Sequence, residues 1–393
     1  MAGLSLDAFR ARFPILGRRV YVNSCSQGAL STDVEAAFAA FTESWHAGGS
    51  PWDRWVEEVE RLRATAAVAI GADPDEVAIM PSASVAISAV ATALPFTATR
   101  AKVVLGDFEF PTMAHVWLAQ RPRGAEIAWA RAAGETLTVD AYAPHVDERT
   151  RVVPITHVCF RNGYRTDLPR LVALCRDRGA LVFLDDYQRT GTGPIDVHAL
   201  DVDFLVTGAL KYLLGPAGIA FLYVRRALIE QLTPLVTGWF GRANPFAFAA
   251  DRLDWSSTAR RFETGTPPVP NAYAAIAGIE LLNAVGLERI ESHVAGLVAR
   301  FVDGARARGF DVLTPAEPAR RGPLTVVRSS DAAELVRRLD TRGIISSARG
   351  DGLRVSFHGY NTEQDVDAVL NALEAESGWL ARERALSPDR ARD

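Results

Sequence analysis

The sequence has little cysteine and little lysine for its 393 residues, and each shortage narrows what the protein can do. Its three cysteines, Cys25, Cys159 and Cys175, are odd in number and lack CxxC spacing. A disulfide framework or a zinc site is therefore disfavoured, and we predict buried free thiols. The seven histidines show no pairing at helical spacing, so no metal site is predicted.

Long hydrophobic runs and a strong charge excess are also missing. No apolar run reaches the roughly 18 residues that a membrane helix needs. A net charge of −4 and an isoelectric point near 6.0 give no reason to expect nucleic acid or an anionic membrane as a partner. The N-terminus, MAGLSLDAFRARFPIL, lacks the layout of a secretory signal. These features predict a cytoplasmic protein.

Lysine is the most informative shortage. Of the 43 basic residues only Lys102 and Lys211 are lysines, and the rest are arginines, whose guanidinium group does not deprotonate. Lys102, in TATRAKVVLGD, begins a predicted strand and is interpreted as a solvated edge residue. Lys211, in TGALKYLLGPAG, follows a strand between apolar neighbours, where desolvation lowers the pKa of an amine toward reactivity. A snorkelling lysine is the alternative there.

Short apolar runs alternate with helical stretches from about residue 75, which is typical of a parallel sheet built from βαβ units. Runs such as LVFL and IAFLYV are apolar on both faces, as buried parallel strands are. No GxGxxG or P-loop motif follows a strand, so dinucleotide and P-loop sites are disfavoured. The predicted strands are 77–80, 102–106, 126–130, 152–157, 181–185, 204–206 and 219–224.

The length predicts two domains. Their predicted boundaries are 1–30 for an N-terminal segment at the small domain, 31–271 for a large domain, and 272–393 for a small α+β domain. The charged tail 382–393 is expected to fray. The small domain has predicted helices 272–285, 287–308, 332–342 and 362–375, and predicted strands 312–314, 324–327, 344–347 and 353–357.

Three strand ends carry suitable residues at the sheet edge where ligands gather, and Lys211 follows one of them. The run PSASVAIS opens a helix, so Ser82, Ala83 and Ser84 can offer N–H groups to an anion, with an ordinary serine N-cap as the alternative. In FLDDYQRTG, Asp185 is predicted to be a nearly buried carboxylate that needs a cationic partner or several hydrogen-bond donors. Asp186, next to it, is interpreted as a solvated turn residue.

The order of these motifs resembles a known family. An Ala-Ser pair opens a helix, DxxQ follows at 185–188, a lysine comes 26 residues after the aspartate, and GPxGIAFLYV comes next. This order resembles class V of the fold-type I enzymes that use pyridoxal 5′-phosphate (PLP). The class holds cysteine desulfurases, isopenicillin-N-epimerase-like proteins, kynureninases and class V aminotransferases. The resemblance runs from VYVNSCSQGAL, at residue 20, to LRVSFHGYNTEQDVDAVLNAL, which ends at residue 373.

The resemblance implies an α/β fold of this type, with a seven-stranded, mostly parallel sheet in the large domain and a smaller C-terminal α+β domain. It also implies a homodimer with composite active sites. Residue by residue, it implies that Lys211 holds PLP as a Schiff base and that Asp185 pairs with the pyridine nitrogen. Gln188 falls at the phenolic oxygen of the cofactor, and Ala83 with Ser84 at its phosphate.

Other matches concern the ring face, the dimer and the substrate. Phe110, in GDFEFPTM, matches the ring that stacks on the pyridine, with a core phenylalanine as the alternative. Gly265 and Thr266, in RFETGTP, match a phosphate-binding pair that reaches across the dimer interface. Arg354 matches the arginine that binds the α-carboxylate of the substrate, a task that suits its planar fork. Two further residues border the substrate pocket in this comparison: Asn23 and Ser26.

Three departures from the family pattern bear on the reaction. Leu210 stands where many desulfurases and epimerases have a histidine before the lysine. Gly208 stands where a phosphate-binding serine is often found, with Thr207 one place further back. The stretch IISSARGDGLRVS has no cysteine, although desulfurases carry their nucleophilic cysteine there. A persulfide-forming desulfurase is therefore disfavoured.

The resemblance implies a PLP enzyme that acts at Cα or Cβ of an amino-acid substrate. The DxxQ type of site favours the desulfurase, kynureninase and epimerase branch. A β-eliminating lyase, or one that cleaves a C–S or Cβ bond, is therefore the first interpretation. A class V aminotransferase or an epimerase is the alternative, and a catalytically silent PLP-binding protein is a further one.

Overall fold

The computed structural model describes residues 3–382, so the predicted charged tail beyond residue 382 lies outside the described residues. The helices in this range are α1 (Leu6–Arg10), α2 (Thr32–Gly48), α3 (Trp52–Ile70), α4 (Ala83–Ala93), α5 (Pro111–Leu118), α6 (Val139–Tyr142), α7 (Leu168–Asp177), α8 (Arg226–Ile229), α9 (Val269–Val285), α10 (Leu287–Ala307), α11 (Ala332–Thr341) and α12 (Glu363–Ala375). The strands are β1 (Val20–Tyr21), β2 (Val77–Met80), β3 (Lys102–Gly106), β4 (Glu126–Ala130), β5 (Thr150–Thr156), β6 (Leu181–Asp185), β7 (Phe204–Gly208), β8 (Ala220–Val224), β9 (Leu324–Arg328), β10 (Ile344–Ile345), β11 (Ser347–Arg349) and β12 (Gly352–Ser356). Among residues 3–382, no helix is both long enough and apolar enough to cross a membrane.

Seven of these strands form one sheet in the order β2-β8-β7-β6-β5-β3-β4. The pairs from β7 through β4 are parallel, whereas β8 runs antiparallel to both of its neighbours. The predicted seven-stranded, mostly parallel sheet is therefore confirmed. All seven predicted strands are present, and their ends differ from the prediction by at most two residues. The predicted domain boundaries stay predictions.

Residues along each strand of this sheet alternate between two apolar layers. In β3, Val103 and Leu105 pack in one layer with residues of α4 and α5, whereas Val104 packs in the other with α3, α7 and α9. Helices thus cover both faces, which is why these strands are apolar throughout rather than alternating. The carboxyl ends of the parallel strands are left to face a ligand.

A second, antiparallel sheet has the order β11-β12-β9 and packs against α10 and α11. The four helices predicted in this part are confirmed as α9 to α12, with ends that differ by at most three residues. The predicted strand 312–314 is wrong, because Val312 makes only an isolated bridge to Val327. The Thr314 hydroxyl, rather than a backbone carbonyl, accepts the Val326 N–H and ends the pairing.

The predicted strand 344–347 is divided between two sheets. β10 pairs in parallel with β1, with Val20 opposite Ile344, whereas β11 pairs with β12. The N-terminal segment therefore runs beside the small antiparallel sheet, and Asn23 extends the contact through a bridge to Ser356. This arrangement carries the NSCSQG stretch to the carboxyl edge of the large sheet.

Candidate active site

A cavity of about 360 Å³ opens at the carboxyl edge of the large sheet. Its walls come from the ends of β5 and β6, the starts of α4 and α5, the loop after β7, the N-terminal segment and the β11–β12 hairpin. The predicted site residues that line it are Ser26, Ala83, Ser84, Phe110, Asp185, Gln188, Lys211 and Arg354. The predicted residues that do not line it are Asn23, Gly265 and Thr266.

Lys211 is the one lysine in the cavity wall. Burial lowers the pKa of its amine to about 8. The Nζ atom lies 4.4 Å from the centre of the Tyr187 ring and 5.8 Å from that of Phe110. Lys102 instead forms an ion pair with Asp147 at the start of β3, and because its side chain is only 16% exposed, the interpretation of a solvated edge residue is wrong about solvation. Only Lys211 is therefore placed to act as a free amine.

Asp185 ends β6 and is directed into the cavity. Burial raises the pKa of its carboxyl to about 6, although the Tyr187 N–H and the Lys211 charge act in the opposite direction. That N–H donates to Oδ1 at 3.0 Å. A buried carboxylate with so few donors is stabilised by any cation delivered into the cavity, such as a protonated pyridine nitrogen.

Gln188 provides a direct test of whether a polar group fits here. Its Nε2 donates to the Cys25 carbonyl at 3.1 Å, while its Oε1 is buried without a hydrogen-bond partner among the described residues. A buried polar atom left unpaired is costly in free energy, and such atoms are uncommon in folded proteins. The amide therefore suits a ligand that brings its own polar group to this wall.

The start of α4 suits an anion. Ser82 caps the helix by accepting the Val85 N–H on its hydroxyl, at 3.3 Å. The next N–H groups, on Ala83 and Ser84, have no carbonyl one turn earlier in the helix and carry the positive end of its dipole. The Ser84 hydroxyl lies 3.3 Å from that of Thr112, which also lines the cavity. Backbone and hydroxyl donors together suit a phosphate group.

Arg354 lies on β12 with only 1% of its surface exposed. Its Nη1 donates to the Phe160 carbonyl at 2.9 Å, its Nη2 to the Ser26 hydroxyl at 2.7 Å, and its Nε to the Ser347 hydroxyl at 3.2 Å. All three acceptors are neutral, so they orient the guanidinium group without cancelling its charge. A buried cation held in this way favours an anionic ligand.

The structure explains why position 208 is a glycine rather than a serine. A Cβ atom there would collide with the hydroxyl of Tyr187, whose ring lies across Gly208. Tyr187 therefore takes the space that a serine side chain would need. Thr207 is buried on β7, its hydroxyl has no partner among the described residues, and it does not line the cavity. In the sequence, the tyrosine of DDYQ is the residue that could have indicated this.

Asp186 corrects one expectation. The interpretation of a solvated turn residue is wrong, since Asp186 is fully buried and accepts hydrogen bonds from the His157 ring and the Thr190 hydroxyl. Its own N–H donates to the Val206 carbonyl at 2.9 Å, which continues the β6–β7 pairing and turns the side chain inward. Asp186 therefore stabilises the turn that positions Asp185.

Asp185→Asn is expected to stabilise the cofactor-free protein while weakening cofactor binding. The rise of the Asp185 pKa from 3.8 to about 6 costs the folded state about 3 kcal/mol at pH 7, and asparagine removes that cost. Between these pH values the folded state binds more protons than the unfolded state, so this part of the stability is lost as the pH rises through 6. Urea denaturation curves of the two proteins should therefore converge near pH 4 and diverge by pH 7.

The neighbouring Asp186 provides the control. It accepts two side-chain hydrogen bonds, so Asp186→Asn should not stabilise the protein at either pH. If Asp185→Asn were only as stable as the wild type at pH 7, burial would not destabilise the Asp185 carboxylate as described above.

Known proteins are similar to this chain along most of its length. The model of the aminotransferase class-V family matches residues 46–369. An uncharacterized aminotransferase of Bacillus subtilis (strain 168), YcbU, is 35% identical over 372 residues, which cover 94% of this chain and 98% of that protein. A kynureninase of Deinococcus radiodurans is 29% identical over 365 residues, which cover 88% of this chain and 87% of that protein.

Solved structures share the fold. A mutant of C-DES with glycine covalently linked to its PLP cofactor superposes with a TM-score of 0.86 at 21% identity, over 93% of this chain and 98% of that one. The matched family model covers most of the chain. Three features of the cavity fit the cofactor: the unpaired Gln188 amide oxygen, the buried Asp185 carboxylate and the N–H groups at the start of α4. The chain therefore belongs to the class-V aminotransferase family, and it is a PLP-dependent enzyme.

Proposed function

We propose that the protein is a PLP-dependent lyase that cleaves at Cβ of an amino-acid substrate, by β-elimination or by breaking a C–S or Cβ bond, without a persulfide-forming cysteine. The observation that carries the proposal is the composition of one cavity. It joins the Lys211 amine, the Asp185 carboxylate and the buried Arg354 guanidinium, while the β11–β12 hairpin brings two arginines, Arg349 and Arg354, and no cysteine to its wall. Cys25 lines the wall formed by the N-terminal segment, and it is 1% exposed.

Five residues would hold the cofactor. Lys211 would bind it covalently, Asp185 would pair with its ring nitrogen, and Gln188 would bind its phenolic oxygen. Ala83 and Ser84, at the start of α4, would bind its phosphate. When bound, PLP supplies an electron sink that stabilises negative charge at the substrate Cα.

The remaining chemistry belongs to side chains of this protein. The free amine of Lys211 would take the proton from Cα, because a pKa of about 8 suits a base near neutral pH. Asp185 keeps a positive charge at the ring nitrogen. Phe110, 43% exposed at the cavity mouth, provides an apolar face against the ring. Arg354, held by Ser26, binds the α-carboxylate and so fixes the orientation of Cα.

Transamination is the second candidate, and the 35% identity to a protein named as an aminotransferase favours it. Epimerisation needs a second proton donor on the other face of Cα. Leu210, the residue before Lys211, cannot supply one.

A panel of amino acids on the purified yellow protein tests the proposal. We expect ammonia and a keto acid, or a cleaved side chain, without any added amino acceptor, because a lyase regenerates its cofactor in each turnover. Cys25→Ser should leave the yield unchanged, since the proposed reaction forms no persulfide. Products that appear only with an added keto acid would establish transamination instead, and a yellow protein without product from any amino acid would contradict both candidates.

We further propose a homodimer with composite active sites. Gly265 and Thr266 are exposed and lie outside the cavity of their own chain, on a loop whose Thr264 carbonyl accepts the Phe240 N–H at 3.2 Å. The adjoining stretch exposes four large apolar side chains. They are Leu235 (66% exposed), Phe246 (45%), Phe248 (72%) and Leu253 (51%). The rings of Phe246 and Phe248 lie against each other, with centres 6.2 Å apart, and exposed apolar groups of this kind are typical of a protein interface.

A hybrid dimer is expected to recover one wild-type site. If Thr266 acts on the cofactor of the partner, a dimer of one Lys211→Ala chain and one Thr266→Ala chain carries both changes in one site and neither in the other. Titration of the purified hybrid with PLP should then show half the wild-type stoichiometry at wild-type affinity. Affinity weakened roughly tenfold at the remaining site, the value of one charge-assisted bond, would mean that Thr266 acts within its own chain. A monomer at micromolar concentration would contradict the dimer itself.

A further inference from the structure

The active-site cavity contains more positive charge than the proposed chemistry uses. Its charged lining groups are Asp185 and three cations, Lys211, Arg349 and Arg354. Lys211 and Asp185 are assigned to the cofactor, and Arg354 to the α-carboxylate of the substrate. Arg349 has no assigned anion.

The β11–β12 hairpin places the two arginines side by side. Ser347 is directly opposite Arg354, and Arg349 is opposite Gly352. Residues two apart along a strand share a face, so Arg349 lies diagonally across from Arg354 on one face of the hairpin. Two guanidinium groups on one face repel each other, and partial desolvation together with the Arg354 charge lowers the pKa of Arg349. An anion between or beside them would relieve that repulsion.

Nothing in the described part of the chain neutralises Arg349. Among residues 3–382 its side chain makes one hydrogen bond, to the Ala348 carbonyl at 2.9 Å, and no ion pair. The nearest acid in sequence, Asp351, pairs with Arg328 instead. Arg328 also pairs with Asp311 at 2.9 Å. Arg349 is thus a free cation at the cavity mouth, beside a second arginine that is already oriented.

We propose that Arg349 binds a second anionic group, on the side chain of the substrate, so that the enzyme acts on amino acids whose side chain ends in a carboxylate, sulfinate or phosphate. The inference rests on the proposed function, in which Arg354 takes the α-carboxylate. Neutral acceptors on three sides hold Arg354 in place, whereas Arg349 is exposed and can adjust to the length of the side chain. The phosphate of the cofactor is assigned elsewhere, to the start of α4 on the large sheet.

Binding of simple carboxylates to the PLP-loaded enzyme tests this directly. We would measure dissociation constants of succinate and glutarate against propionate and butyrate by titration calorimetry. Succinate is compared with propionate and glutarate with butyrate, because each pair differs by one carboxylate. In at least one pair the dicarboxylate should bind about tenfold more tightly or better, because it makes one more charge-assisted contact. Arg349→Gln should bring this ratio close to one and leave monocarboxylate binding within about twofold. Arg300→Gln, which removes the same charge from α10, where Arg300 pairs with Asp367 at 2.7 Å, should leave the ratio unchanged.

A substrate panel then separates this inference from the proposed function. L-aspartate, L-glutamate, L-cysteine sulfinate and O-phospho-L-serine would be compared with asparagine, glutamine, cysteine and serine. A dicarboxylate ratio near one in the wild type, with neutral amino acids turned over best, would overturn the role of Arg349 and leave the lyase standing. A high ratio lost in Arg349→Gln would support that role even if no amino acid were cleaved, in which case the lyase alone fails. Loss of PLP absorbance in Arg349→Gln would also overturn the inference, since Arg349 would then hold the cofactor.

Discussion

Lys211→Ala is expected to abolish covalent cofactor binding and to lower turnover by roughly a thousandfold or more. In the proposed mechanism this side chain both attaches the cofactor and moves the proton at Cα, and loss of a general base alone is worth about 10² to 10⁴ in rate. Borohydride reduction of the wild type should fix the cofactor to one peptide, which mass spectrometry should identify by Lys211. With only two lysines in the chain, the assignment has one competitor.

Lys102 provides the matched control. Its amine pairs with Asp147 at the start of β3 and does not line the cavity, and a partly exposed ion pair contributes about 0–1 kcal/mol to stability. Lys102→Ala should therefore remain yellow, active and labelled at Lys211. A reduced cofactor found on Lys102, or a covalent complex in Lys211→Ala, would refute the central assignment.

Much of the large sheet could be predicted from the sequence because its strands are apolar along their whole length. A continuous apolar run predicts both the strand and its burial on two faces. The ends of β2, β6 and β8 lie within one residue of their predicted positions. The small sheet was harder. Strand 312–314 fails because the Thr314 hydroxyl competes with the backbone for the Val326 N–H, and side-chain competition of this kind leaves no mark on apolar periodicity.

The site residues divide in a similar way. The placement of Lys211 and Asp185 in one cavity could be predicted because a scarce amine and a carboxylate at a strand end each imply particular chemistry. Asp186 was misjudged, since two adjacent carboxylates give no sign of which one the chain turns inward. The role of Arg349 was invisible in a chain that takes nearly all its positive charge from arginine. Only the register of the hairpin places it beside Arg354.

Arg354→Ala is expected to lower kcat/KM by about two orders of magnitude or more while sparing the cofactor. A carboxylate held by a guanidinium fork makes two charge-assisted bonds, each worth about 1.5–3 kcal/mol. Loss of both reduces kcat/KM accordingly. Arg354→Lys should recover little, because a point charge cannot reproduce the planar fork. PLP content and visible absorbance should stay near those of the wild type, since the proposed cofactor contacts lie on other residues.

The simplest competing explanation assigns Arg354 a structural role only. A surface ion pair with Asp351 is ruled out by the structure, in which Asp351 pairs with Arg328 and Arg354 is 1% exposed. Because Arg354 is buried, the alanine variant also leaves the Phe160 carbonyl without its donor and should lose some thermal stability. Arg354→Gln, which can still donate to that carbonyl, separates the two effects. It should fold like the wild type and still lose most of kcat/KM, whereas near-wild-type kinetics in a folded Arg354→Gln enzyme would show that the arginine does not bind the substrate.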